Sequence, residues 1–279
     1  MCRLAAFPPG FSKVDALDVL GNFIRGNVDG TGSVYVKDSQ FVVNKWPLPL
    51  MKVVEDKLPL LDHMPYDGWT VVHLRAASHG KVSLANTHPF IRGNWAVVHN
   101  GVWASYDVVK AALRKYEKFD GETDSEVAAY MIDTIGPKKF FELVNQQSRG
   151  GVFLCLERTG NLWVVKTSGI LDMATTERGT LLASDLPFFN VDDMPYLKTS
   201  TRVDSGWIKL HAQGHIIKKY EPPPAWGWNT AWNGQHAGYI GQRSEPVYDG
   251  FAGEIPGAAI PRKSEQGIDD PDLWKDVLL

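Results

Sequence analysis

The feature that most limits the fold is a succession of short apolar runs, each bounded by turn-forming residues and interrupted by a few longer helical patterns. β-Branched and aromatic clusters predict strands at 34–36, 41–44, 70–74, 95–98, 151–156, 161–166, 180–184, 201–209 and 214–220. Helical periodicity predicts helices at 15–24, 106–118 and 125–134, with Asp124 placed to cap the last. Pro137 fits the first turn of a further helix reaching 144. Many short strands and few amphipathic helices bury their apolar faces only when stacked in layers. The expectation is an α+β domain with helices covering sheets.

Composition supplies a core for such layers and removes several alternatives. Hydrophobic residues are 44% of the 279, against wholesale disorder. No apolar run approaches the ~18 residues of a membrane span. Arg3 is a single early charge, and Pro8, Pro9 and Gly10 break the first apolar stretch, so no signal peptide is expected. Two cysteines, Cys2 and Cys155, cannot build a disulfide framework; the expectation is a cytoplasmic protein. A formal net charge of −3 argues against a nucleic-acid partner.

The charge is uneven. Residues 221–279 carry −5 and residues 1–220 carry +2. The same 59 C-terminal residues hold seven Pro and eight Gly, a density typical of irregular chain. They also hold Trp226, Trp228, Trp232 and Trp274, unusual for a free linker. The expected division is a folded domain over 1–220 and an acidic tail over 221–279. That tail is extended, partly disordered, or a docking segment.

Several segments carry residues suited to chemistry, each with a plain structural use as well. Cys2 follows the initiator Met and becomes residue one if Met1 is removed; its own α-amine then serves as base for its thiol. Taken alone, it reads first as a surface thiol that sits early. His73-Leu-Arg-Ala-Ala-Ser-His-Gly80 follows a predicted strand. There Arg75 could hold a carboxylate in a bidentate fork, or make an ordinary salt bridge. Asn86-Thr-His-Pro-Phe90 comes next. In Val97-Val-His-Asn-Gly101 a buried-type strand runs into Asn-Gly, which is either a tight turn or an amide and backbone N–H able to hold an oxyanion. Gly121-Glu-Thr-Asp-Ser-Glu126 opens a helix, with Thr123 or Asp124 as cap, or Asp124 as partner for an ammonium group.

In this order the five segments resemble the class-II glutamine amidotransferase domain, an N-terminal-nucleophile (Ntn) hydrolase. That family's usual pattern is an N-terminal Cys, then H-x-R-x-A-x-H-G, H-P, H-N-G and E-T-D-[ST]-E. Arg25-Gly26 with Asp29-Gly30-Thr31-Gly32 resembles its early R-G and D-G-x-G region, and Ala183-Ser184-Asp185 its late A-S-D segment. The resemblance covers about residues 1–220 and implies a four-layer αββα sandwich. It also implies that Cys2 attacks the side-chain amide of glutamine, giving a γ-glutamyl thioester and ammonia. Asn100 and Gly101 would hold the oxyanion, Arg75 the α-carboxylate and Asp124 the α-ammonium. Ser78 and His79 would line the pocket, and Arg25 would support the nucleophile region. No cofactor or metal is implied.

The Asn86-Thr-His-Pro-Phe90 form and Asp29-Gly30-Thr31-Gly32 resemble a stand-alone branch that includes γ-glutamyl hydrolases, and two positions depart from the family's usual pattern. Ala76 stands where many synthase-linked members carry a bulky aromatic, and Phe90 where some carry a second His. The chain shows neither G-x-x-x-x-G-K-[ST] nor G-x-G-x-x-G, and the 59 C-terminal residues are too few for an acceptor domain. A glutaminase would therefore hand ammonia to a separate ATP-dependent ligase or synthetase. The alternative is a self-sufficient γ-glutamyl amide or peptide hydrolase. A catalytically silent binding module would require a broken catalytic position. A zinc hydrolase could draw on His73, His79, His88 and His99, but none has i, i+4 spacing. Cys155, in an apolar strand, is expected in the core.

Overall fold

The structure, a computed structural model, describes residues 1–222 apart from 24, 25, 63, 66, 115, 116, 147–149 and 187–196. Arg25 and the tail from 223 onward lie outside the described residues. Residues Met1–Tyr220 form one compact unit.

The elements run β1 (Arg3–Phe7), α1 (Lys13–Gly21), β2 (Gly30–Lys37), β3 (Gln40–Trp46), α2 (Leu50–Glu55), β4 (Thr70–Arg75), β5 (Phe90–Arg92), β6 (Trp95–Asn100), α3 (Tyr106–Leu113), α4 (Asp124–Gln146), β7 (Val152–Glu157), β8 (Leu162–Lys166), β9 (Asp172–Thr176), β10 (Gly179–Ala183), β11 (Leu197–Arg202), β12 (Gly206–Leu210) and β13 (Ile216–Lys219). Seven strands form one sheet in the order β11-β9-β10-β1-β4-β2-β3. Six form the other in the order β13-β12-β8-β7-β6-β5.

The pleat sorts side chains between layers. Leu4 and Ala6 of β1, Val71 of β4, Ala96 and Val98 of β6, Leu154 of β7 and Leu182 of β10 fill the space between the sheets. Their alternates Ala5, Phe7, Val72, Leu74 and Leu181 face outward and meet Ala16, Val19 and Leu20 of α1 and Leu50 and Val53 of α2. On the outer face of the second sheet, Phe140 of α4 packs edge-on against Phe153 and Trp103. The result is helix, sheet, sheet, helix. Each fully buried Leu, Val or Phe in these layers contributes about 1.5–3 kcal/mol relative to exposure.

Local signals place the helices well. Ser12 caps α1, accepting from Val14 N–H and Asp15 N–H. α4 joins the two expected helices across a kink at Gly136, whose φ of 76° is left-handed and precedes Pro137. α3 stops at Leu113, short of the expected 118; beyond it Glu117 turns to pair with Arg92 of β5.

One expectation is corrected. Residues 201–209 do not form a single strand. β11 ends at Arg202 and β12 starts at Gly206, and the two lie in different sheets. Val203 N–H bonds Leu171 C=O at the crossing, where the chain changes layers. The sequence reading also missed β1, α2, β5 and β9, each only three to six residues long.

Candidate active site

Strand parity and register bring the polar residues together. Cys2 lies two residues before the inward Leu4, Arg75 four after Val71, Asn100 two after Val98, and Ser184 two after Leu182. Period-two alternation sends all four toward the space between the sheets. Arg3 pairs with Leu74, so Cys2 stands level with Arg75, at the start of β1 and the end of β4. Asn100 ends β6. Hydrogen bonds tie these strand ends together: the Ser184 hydroxyl accepts from Leu4 N–H at 3.2 Å and from the Asn100 amide at 3.3 Å.

Cys2 is half-buried, whereas Met1 before it is 83% exposed. Its Sγ lies 3.5 Å from both Ala76 N and Ala76 O, so the thiol accepts from one peptide group and donates to the next. Burial pushes the Cys2 thiol up; the Ala76 N–H, the N-terminal charge and Arg75 pull it down, and Asp124 pushes it up further. Cys2 therefore feels both a guanidinium and a carboxylate.

Arg75 is only 2% exposed. Its guanidinium donates to His79 O at 2.8 Å, Lys81 O at 3.1 Å and Gly80 O at 3.3 Å. Among the described residues these bonds leave Nε–H and one Nη1–H unused. The 79–81 loop is fixed in turn by Asn86 and Glu122. Asn86 Nδ2 donates to Lys81 O at 3.0 Å, Lys81 N–H to the Glu122 carboxylate at 3.1 Å, and Glu122 N–H to Asn86 Oδ1 at 2.8 Å. The Lys81 N–H and the Asn86 amide hold the Glu122 carboxyl below its usual range. Ser78 and His79 are exposed on this loop, 3.3 Å from Oγ to Nδ1.

Asp124 begins α4 and accepts from Trp103 N–H at 2.8 Å and from the Ser125 hydroxyl at 3.1 Å. His99 Nδ1 lies 3.6 Å from its carboxylate. Desolvation raises the Asp124 carboxyl, but the His99 imidazole, the Trp103 N–H and the Ser125 hydroxyl outweigh it and hold it at about 2. His99 lies flat on Phe153 and its Nε2 donates to Gly150 O at 2.6 Å. Gly101 is wedged beside these groups. A Cβ there would lie 2.6 Å from Gly150 O, 2.6 Å from Gly151 Cα and 2.9 Å from His99 Nε2. Only a residue without a side chain lets the backbone pass so closely.

The structure thus brings together Cys2, Arg75, Asn100, Gly101 and Asp124, and leaves Ser78 and His79 on the exposed rim. His73 and His88 are buried and stacked, centroids 3.8 Å apart, with His73 Nε2 on His99 O at 2.9 Å. Burial lowers His73 to about 3 and His88 well below the usual imidazole range, so both are neutral in the core. Among the described residues no three His, Cys, Asp or Glu side chains converge where a metal ion could be held. Cys155 is fully buried in β7, and burial pushes its thiol far up. No helix among the described residues is long and apolar enough to cross a membrane. Ser184 and Ser125 have structural roles that sequence reasoning left unassigned. Their only signal was membership of the A-S-D and E-T-D-S-E segments.

Comparisons with known proteins bear on the family and the fold. Residues 62–165 match the family described as glutamine amidotransferases class-II. The glutamine–fructose-6-phosphate aminotransferase [isomerizing] of Aquifex aeolicus is 31% identical over 189 residues, 64% of this chain and 31% of that protein. Its counterpart from Wigglesworthia glossinidia brevipalpis is 42% identical over 81 residues, 28% of this chain and 13% of that one. The match to these curated relatives thus spans less than a third of their length. Among solved structures, the glutamine phosphoribosylpyrophosphate amidotransferase from B. subtilis superposes with a TM-score of 0.62 at 17% identity, covering 79% of this chain and 49% of that one. The fold is that of the Ntn-hydrolase glutamine amidotransferases.

Proposed function

We propose, on the premise that this chain carries a class-II glutamine amidotransferase domain, that it hydrolyses the side-chain amide of glutamine through Cys2. The observation that carries this reading is the convergence at one end of the sandwich of a half-buried thiol, a buried guanidinium, a depressed carboxylate and the Asn100–Gly101 corner. A zwitterion needs one cation and one anion to select its end. An N–H that Arg75 leaves unused takes the α-carboxylate, and Asp124 takes the α-ammonium.

Removal of Met1 frees the Cys2 amine, which accepts the thiol proton as Sγ attacks the side-chain carbonyl carbon. The Asn100 amide and the Gly101 N–H hold the developing oxyanion. A single such donor is worth about 10²–10³ in rate. The C–N bond breaks, the amine returns its proton to the leaving nitrogen, and ammonia departs from a γ-glutamyl thioester. Water then cleaves the thioester to glutamate and restores the thiol. The ammonia is handed to an acceptor enzyme.

A second reading is favoured by Ala76. The residue whose backbone touches Sγ carries only a methyl group, and a small side chain beside the thiol suits a substituted amide, which makes a γ-glutamyl peptide the alternative substrate. Exposure to a glutamine-analogue electrophile, followed by mass mapping, tests the main reading. Labelling at Cys2, blocked by glutamine, supports it; labelling at Cys155 alone, or none, overturns it. Steady-state comparison of glutamine with γ-glutamyl peptides separates the two substrates.

A further inference from the structure

We infer that Asp29, in the turn entering β2, is a positioning residue that aims the two peptide groups touching the Cys2 thiol. The inference rests on reading Cys2 as the nucleophile. Gly30 pairs with Arg75 across β2 and β4, which brings the residue before Gly30 against the end of β4. There Asp29 N–H donates to Arg75 C=O at 3.1 Å. Its carboxylate accepts from Ala77 N–H at 2.7 Å.

These two bonds bracket Ala76. The Arg75 carbonyl and the Ala76 N–H are opposite ends of one trans peptide plane. The Ala76 carbonyl and the Ala77 N–H are opposite ends of the next. Asp29 holds the far end of each plane, and Cys2 Sγ meets the near end of each, at 3.5 Å in both cases. Because a peptide group is rigid, fixing one end orients the other. Asp29 therefore sets the direction of a donor that favours thiolate and an acceptor that favours thiol.

The carboxylate acts on the second plane only. Its loss frees the Ala76 carbonyl, which accepts the thiol proton, and leaves the Ala76 N–H in place through the Asp29 backbone. The charged groups that also face Cys2 are the N-terminus, Arg75 of β4 and Asp124 of α4, and none of them changes in an Asp29 variant. An Asn at 29 keeps an oxygen acceptor for Ala77 N–H while losing the charge. It thus separates hydrogen bonding from electrostatics.

The test is the pH dependence of Cys2 alkylation in the full chain, read from the mass of the N-terminal peptide. Cys155 is buried, so the two thiols are distinguished directly. Asp29→Ala is expected to move the alkylation midpoint down by about 0.5–1 pH unit, the size of one ordinary hydrogen bond. Asp29→Asn is expected to keep the wild-type midpoint. In glutamine hydrolysis, Asp29→Ala lowers kcat with KM nearly unchanged, and Asp29→Asn restores it. An unshifted midpoint in Asp29→Ala overturns the inference, and so does an equal shift in both variants, which would assign the effect to charge. Cys2→Ala keeps the two readings apart. If that variant still hydrolyses glutamine, the proposed function falls, while the alkylation profiles still decide the role of Asp29.

Discussion

Replacing Gly101 by Ala tests the corner on which the site turns. The new methyl carbon would lie 2.6 Å from both Gly150 O and Gly151 Cα, and 2.9 Å from His99 Nε2. Two of these three neighbours are backbone, and the third is an imidazole fixed between Phe153 and Gly150. None is the free end of a flexible chain, so the strain must be met by shifting the β6–β7 junction. Overpacking of this kind costs about 1–3 kcal/mol, and three hard contacts place this case at the upper end. For a domain of this size each kcal/mol lowers Tm by about 2–4 °C, which predicts a fall of about 6–12 °C. The shift also moves the Gly101 N–H off the oxyanion, so glutamine hydrolysis should fall by about 10²–10³. Thermal unfolding and steady-state kinetics on the same samples read both effects. Gly21→Ala is the control: nothing lies within 4 Å of a Cβ at the end of α1, so that variant should melt at or slightly above wild type. A Gly101→Ala protein that melts within a degree of wild type and keeps its kcat would refute the reasoning.

Three further outcomes are expected. Protein that retains Met1 should be inactive, because the amide at Cys2 cannot accept the thiol proton; intact mass beside activity checks this, and an active Met1-bearing species would contradict it. Arg75→Ala should raise KM for glutamine by about 10–100-fold, the worth of charged hydrogen bonds to the carboxylate, with an unchanged KM counting against that role. Asp124 titrates at about 2 against an ordinary 3.8, so it favours the folded state fully above 3.8 and loses that contribution as pH falls through 2. Asp124→Asn should therefore flatten the decline of Tm between pH 4 and pH 2, and an unaltered slope would show that His99 and Ser125 do not hold the charge.

Much of the fold was legible because its signals are local. The β-branched runs Val71-Val72 and Val97-Val98 are written within six residues and mark strands without long-range information. Helical periodicity placed the start of α1 at 15, two residues inside its true start at Lys13, because the Ser12 cap was not read. β9 was not legible: Asp-Met-Ala-Thr-Thr alternates weakly, and it is a strand because β10 and β11 lie on either side of it. The strand expected at 201–209 was misread for a related reason. Its residues suit β structure throughout, and nothing local says that Val203 turns to Leu171 while the next segment joins another sheet.

The same division runs through the site. The order of five short segments, through the family they resemble, singled out Cys2, Arg75, Asn100, Gly101 and Asp124; no one segment did so by itself. It could not say that Arg75 is enclosed by the carbonyls of its own loop, that Ser184 joins the nucleophile strand to Asn100, or that Asp29 brackets Ala76. Those contacts link residues from 4 to 180 positions apart in the chain. They depend on strand register, and register is set by the packing of two whole sheets against each other rather than by any one segment. Sequence determined which groups are present and roughly where the strands lie; the stacking of the sheets decided which way those strands face and which groups meet.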